Sequence, residues 1–414
     1  MLGILLRVVR DTHEIGARAR LIRRRRGMSL DVAAGLAGIG KSYLSMLELG
    51  QRGFNRRGLI EDLADALACS VADLTGQPYL PADRTGAEAR AAVPGIRLAV
   101  ADFGPDDVPD VTPRPLDQLA ALADTANEHC GQARYSLAGR DIGAVVTELH
   151  VHTLTAPAAD RGRACTALVT ACFVAGVVAS RTGNIDLSIT AAQRGFDLAQ
   201  HHGDPTVLGF ARWYWALELT SVAARHRAST VLTTGIDALT ASVDFGHSAD
   251  TAPAEMVGMM HLQQARATAR RQRGDDARAH LDEAGWLADR IGEHNGFGQH
   301  FGLTNVAVWR LGVGIELGEG GRAYEDATRA PIDVAALGSA ERSSSLHLDL
   351  ARALSQDGAD RDAEAIRHLD TADRLAPQRI RPDPIARELV GVLDRRARHR
   401  VWELDSLRNR FGIG

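Results

Sequence analysis

From Ile15 onward the apolar positions fall three and four residues apart, the spacing that lines one face of an α-helix. They predict short helices over Ile15 to Arg26, Ser29 to Leu36, Lys41 to Leu49, Arg57 to Leu67 and Val71 to Leu74. The breaks between them have chemical causes. Gly27 ends the first helix, Ser29 is placed to cap the second, Gly38 and Gly40 form the break before the third, and Gly50 ends that one. Helices this short bury their faces only against one another, so residues 12–78 are expected to form one compact domain.

Two stretches of weak periodicity follow, 77–86 and 103–115, the second holding Pro105, Pro109, Pro113 and Pro115 among acidic residues. Proline removes a backbone donor and fixes φ, so both read as connectors. Between them, 87–101 reads as a helix broken near Pro94, and 79–115 as a linker carrying it. From Leu116 to the end the pattern is helical, with no convincing alternation of period two. Similar stripes recur after glycine-marked turns: Ile189, Ala192, Phe196 and Ala199 after Gly183; Ala277, Leu281, Ala284, Ala288 and Ile291 after Gly274; Ala365, Leu369, Ala372 and Ala376 after Gly358. The string His-Leu-Asp-x-Ala occurs at His280 and again at His368. Helix pairs that stack to hide their apolar faces make a solenoid, and turns roughly 40 to 50 residues apart exceed the 34 of strict tetratricopeptide repeats. The expectation for 116–414 is a degenerate, tetratricopeptide-like α-solenoid, with an irregular helical bundle as the alternative.

A length of 414 residues exceeds what one ordinary core supports, in keeping with two domains. The uncharged stretch from Ala164 to Ser180 is shorter than the roughly 20 residues of a membrane span and reads as a buried helix. The apolar start is interrupted by Arg7 and does not read as a secretory signal, so a cytoplasmic protein is expected. A net charge of −4 hides an asymmetry. The front is rich in arginine through Arg57 and carries Lys41, the single lysine of the chain, while the rest is acidic. That split suits a polyanionic partner for the front alone, or a solvated charge run. Cys69, Cys130, Cys165 and Cys172 show no C-x-x-C pairing and read as reduced core residues. His150 with His152, and His201 with His202, lack the partners that would close a metal site. No G-x-x-x-x-G-K-[ST], H-E-x-x-H or G-x-S-x-G motif occurs, so neither an enzyme nor a cofactor is expected.

The run from Ser29 to Gly50 resembles the helix-turn-helix of the phage-repressor-like Xre family, a likeness carried by Ala34, Gly38, Ile39, Tyr43, Leu44, Ser45, Glu48 and Gly50. Ala34 lets two helices approach, Gly38 permits a tight turn, and Ile39, Leu44 and Leu47 fill the core. The resemblance implies an all-α fold whose third helix lies in the DNA major groove, with Lys41, Ser42, Ser45 and Met46 outward. Lys41 suits guanine O6/N7 and Met46 a thymine methyl. Ser29, Arg52, Asn55, Arg56 and Arg57 are the expected phosphate contacts. It also implies that Glu48 is structural, paired with Arg23. Leu30 and Gly40 depart from the family pattern, Gly40 being the poorer helix cap.

The whole layout resembles actinobacterial Xre regulators with tetratricopeptide-like C-terminal domains and, more distantly, the RRNPP peptide-receptor regulators, most closely from Thr182 to Trp213. This implies a homodimeric transcription regulator on double-stranded operator DNA, whose repeats bind a peptide or small-molecule effector. Candidate groove residues are Arg212, Trp215, Met259, Gln263, Asn305 and Trp309, with packing of the solenoid as the plainer reading of the Trp and Met. The alternative is an interaction scaffold with a weak DNA-binding head.

Overall fold

The computed structural model describes residues 15–413 apart from 80, 82, 103, 105, 203, 243–249 and 398–400. The first residues of the expected 12–78 domain, and Pro105 in the connector, lie outside that set. The fold is all-α: among the described residues there is no strand beyond an isolated bridge between His294 and Phe301.

The head consists of α1 (Ile15–Arg25), α2 (Leu30–Leu36), α3 (Lys41–Glu48), α4 (Arg57–Ala66) and α5 (Val71–Thr75). Each start follows from its cap. The Ser29 hydroxyl accepts from the Val32 amide, and Ser70 with Asp73 forms a reciprocal capping box. Gly38 sits at φ +67°, a conformation that strains any L side chain, and so closes the turn between α2 and α3. The head's core gathers Ala34, Leu44, Leu47, Phe54, Ile60, Leu63 and Leu67, and it also takes in Ile385 from far along the chain.

Behind it come α6 (Arg84–Ala91) and α7 (Val93–Ala101), then α8 (Leu116–Gly131), α9 (Tyr135–Ala138) and α10 (Ile142–Thr155). The break near Pro94 is where the sequence puts it. The surroundings differ from a linker, however. Ala89, Val93, Ile96, Ala99 and Val100 are buried in the same core as α8 and α10, because each helix carries an apolar stripe that only the larger domain can cover. The second connector is tied down as well. His150 bonds the Asp107 carbonyl at 3.0 Å and His152 the Arg114 carbonyl at 2.7 Å, which gives these histidines a structural task.

Five antiparallel pairs then stack in order: α11 (Ala158–Arg181) with α12 (Ile185–His202), α13 (Pro205–Ser221) with α14 (Arg225–Ser242), α15 (Ala252–Arg270) with α16 (Gly274–Ile291), α17 (Leu303–Glu316) with α18 (Gly320–Arg329), and α19 (Ala340–Gln356) with α20 (Asp362–Leu375). Each intra-pair turn carries one left-handed residue: Gly183, Ala223, Gln272, Gly318 and Gly358. That recurrence supports stacked repeats over an irregular bundle. The chain closes with α21 (Pro377–Ile380), α22 (Pro384–Arg396) and α23 (Trp402–Phe411), which share a second core with α17 to α20. Helix α11 is long and apolar enough to cross a membrane, yet it lies mostly buried between its neighbours, as a core helix does. Cys130, Cys165 and Cys172 are buried, Cys69 is half-buried, and all four are free thiols.

Candidate nucleic-acid interface and the cavity behind it

The third helix of the head is held from behind and open in front. Leu44 and Leu47 anchor it in the core. Glu48, at its end, accepts two bonds from the Arg23 guanidinium, at 2.6 and 2.8 Å, with both side chains nearly buried. A bidentate pair of this kind fixes α3 against α1 and leaves no charge over. On the outer face Lys41 and Ser42 are exposed, Ser45 and Met46 half-exposed. Gly40 caps the helix without a side-chain bond, as its lack of a hydroxyl requires. Ser29 is exposed, and although its oxygen serves as a cap, its O–H remains free to donate.

Of the expected phosphate contacts beyond Gly50, only Arg52 is fully exposed. The others turn away. Arg56 is half-buried, and its Nη1 lies beside Gly318 of the repeats. The Asn55 carbonyl accepts from the Arg352 guanidinium at 2.8 Å, and its side-chain oxygen is buried. Arg57 donates to the Ser221 carbonyl at 3.3 Å and lies 3.7 Å from Glu61. Burial, with Arg270 alongside, lowers its pKa. Asn55 and Arg57 are therefore junction residues in this structure rather than phosphate contacts. For Arg57 the reason is its place on α4 beside Glu61, which finds its complement in arginines of the repeats; Asn55 lies just before that helix, against Arg352.

That junction is dense. Glu61, with no exposed surface, meets Arg270 at 2.9 Å and Arg225 at 3.0 Å. Glu316 reaches in from the end of α17 and accepts from the amides of Arg57 and Gly58, so a repeat residue caps a helix of the head. Burial by itself would raise the Glu316 carboxyl, but Arg352 and Arg270 beside it bring it down to about 2. Gly58 admits this approach, since a Cβ there would stand 2.9 Å from the Arg270 carbonyl oxygen. Arg395 on α22 donates to the Gly50 carbonyl at 2.9 Å.

Beneath the junction the first helices of the pairs enclose a cavity of about 310 Å³. It is lined by Phe173 and Arg181 from α11, Trp213, Leu217 and Glu218 from α13, Arg266 and Arg270 from α15, and Trp309, Val313 and Glu316 from α17; Arg57 of the head closes it. Of the six residues expected in the groove, Trp309 alone is there. Arg212 packs on Gly235, and Trp215 stacks on Phe196 with Arg227 over its ring. Met259 is core, and Asn305 is fully buried, its amide donating to the Gln299 carbonyl. Gln263 is also fully buried, yet its side-chain Oε1 accepts from Arg266 at 2.6 Å and so orients a cavity residue. Two of the missed arginines carried a signal in principle: Arg266 and Arg270 sit on the helix of Met259 and Gln263, about one and two turns beyond Gln263.

Among the described residues no cluster of three or more His, Cys, Asp or Glu is placed to hold a metal ion. His201 bonds the Asp197 carbonyl of its own helix, and the His202 side chain lies outside the described residues.

A helix-turn-helix head on a region of stacked helical pairs is the class these parts define. Residues 14–75 match the family model of a helix-turn-helix domain, which spans the head and stops short of the repeats. No curated protein matches the chain. Among solved structures it is similar to Bacillus thuringiensis PlcR, crystallised in complex with the peptide PapR7 and DNA, at 12% identity and a TM-score of 0.29 over 67% of this chain and 95% of that one. A superposition that loose carries no residue from one protein to the other.

Proposed function

We propose that the protein is a sequence-specific DNA-binding transcription regulator that acts as a homodimer and answers to an effector held among its repeats. The observation that carries this reading is the division of the head into two faces. One presents Lys41, Ser42, Ser45 and Met46 outward at the start of α3, where a helix-turn-helix meets base edges. The other, on α4, is locked to the arginines around the cavity. A ligand that alters those arginines has a short mechanical path to the reading face. One head covers little DNA, so two copies on a near-palindrome about 34 Å apart are the natural arrangement.

The test is selection from a random duplex library at near-physiological salt. A palindromic site should enrich. Lys41→Ala should weaken that site by about 1 to 3 kcal/mol and relax preference at one position, whereas Arg52→Ala should lower affinity on all duplexes alike and reduce the salt slope by about one. Only salt-sensitive, sequence-blind binding would favour a scaffold with a weak head.

A further inference from the structure

The cavity stands apart for what it leaves unsatisfied. Eight buried side-chain nitrogen or oxygen atoms of residues lining this one space have no hydrogen-bonding partner among the described residues. Besides the Tyr135 hydroxyl and Glu218 Oε2, all are obligate donors: guanidinium nitrogens, among them those of Arg266 and Arg379, and the indole N–H groups of Trp213 and Trp309. A buried donor without a partner costs about 1 to 3 kcal/mol, and native folds rarely gather several in one place without a use for them. The deficit also has a sign, because the cavity is short of acceptors.

Arg266 makes the point most sharply. Its guanidinium donates to Gln263 and lies 4.7 Å from the centre of the Trp309 ring, yet it has no ion pair among the described residues. Its neighbours Arg270 and Arg352 hold Glu61 and Glu316, and Arg181 and Arg379 share Glu341. Burial, with Arg270 alongside, brings the Arg266 pKa down to about 9, so an anion placed there would meet a cation deprived of its counter-charge. Elsewhere in the cavity Phe173, Val177, Leu217 and Val313 supply apolar wall.

We propose that this cavity binds a compact organic acid, its carboxylate on Arg266 and its apolar body between Trp213 and Trp309. The inference rests on the effector reading above and narrows it. About 310 Å³ lies at the low end for ligand sites, which run from roughly 300 to 1,000 Å³, and suits a compact ligand better than an extended peptide. The site also explains how occupancy reaches the head. Arg57 and Arg270 line the cavity while holding the junction, so a new anion competes with Glu61 and Glu316 for their charge, and ligand binding and head docking become coupled.

The full chain is titrated with benzoate, 3-phenylpropanoate and octanoate, with the matching neutral amides, and with inorganic phosphate, following tryptophan fluorescence and thermal melting. At least one acid should saturate and raise the melting temperature, its amide binding at least about tenfold more weakly. Arg266→Met should lose at least about tenfold in affinity, and Trp309→Phe, which keeps the wall and removes one donor, a few-fold. Should Arg266→Met fail to fold, Trp309→Phe and the amides carry the test. Equal binding of acid and amide, an unaffected Arg266→Met, phosphate as good as any acid, or no saturation below about 1 mM overturns the proposal. No readout involves DNA, so acid binding without operator binding would sink the regulator reading alone, and the reverse would sink this one.

Discussion

The head and the repeat region treat buried charge in opposite ways. In the head, Arg23 and Glu48 satisfy each other with two bonds, and the groups proposed to touch DNA stand on the outside. In the repeats, arginines line an internal space and several of their nitrogens stay without partners. A reading surface needs a rigid back and an open front. A sensing surface needs an interior that something else completes. The two meet at α4, where Glu61 and Glu316 are shared property, and the strongest way to break the comparison is to cut there.

Glu61→Ala leaves Arg57 and Arg270 facing each other without their common carboxylate, and Arg225 with Asp62 alone. Removing one partner from a buried ionic cluster costs about 3 to 5 kcal/mol. In urea the midpoint should fall by a corresponding amount, and the single transition should split as the head releases from the repeats. An unchanged midpoint would mean that the junction contributes nothing to the fold.

How much of this was legible in the sequence follows the same divide. The head is written in local signals. Gly27, Gly38 and Gly50 all take positive φ, Ser29 caps where a cap is needed, and Glu48 reaches Arg23. The repeats are written in contacts between distant helices. Turns marked by glycine, such as Gly183 and Gly358, could be read, but Ala223 and Gln272 hold the same left-handed position without the residue that announces it. The cavity residues were missed by register. Successive helical positions point about 100° apart, so naming Arg212 and Trp215 rather than Trp213 and Leu217 selects a different face of α13. Arg57 was read as a phosphate contact for another reason: in sequence it belongs to a basic run, and only the packed structure supplies Glu61 and Glu316 to turn it inward.

Acid should act on one side of the divide. The described head, 15–76, contains no histidine, whereas the repeats hold two equivalent pairs, His261 with His280 and His347 with His368, each with Nδ1 atoms 3.0 Å apart. Burial and the partner ring bring His261 and His368 down to about 4. Asp276 and Glu283 near His280, and Glu364 near His368, oppose this, while Arg273, Arg361 and Arg367 reinforce it. Unfolded histidine titrates near 6.5, so between about 6.5 and 4 the unfolded chain binds more protons and stability falls as pH falls. The melting temperature should drop through that window, and His261→Gln with His368→Gln should flatten the drop. A double variant as acid-sensitive as the parent would place the effect elsewhere.

The smallest effect sharpens the head alone. Gly40 stands at φ −72° and ψ 144°, an extended conformation open to any residue, and nothing lies within 4 Å of where its Cβ would be. Its counterparts show what is lost, since the Ser29 and Ser70 oxygens each accept an amide at the head of their helices, at 3.2 and 3.0 Å. Gly40→Ser should therefore stabilise by a few tenths of a kcal/mol. In the Glu61→Ala background, where the two regions unfold separately, the gain should appear in the head's transition and leave the acid-sensitive transition of the repeats in place. A shift in both would mean that the head passes its stability on through contacts other than Glu61, with Glu316 and Arg352 the first to suspect.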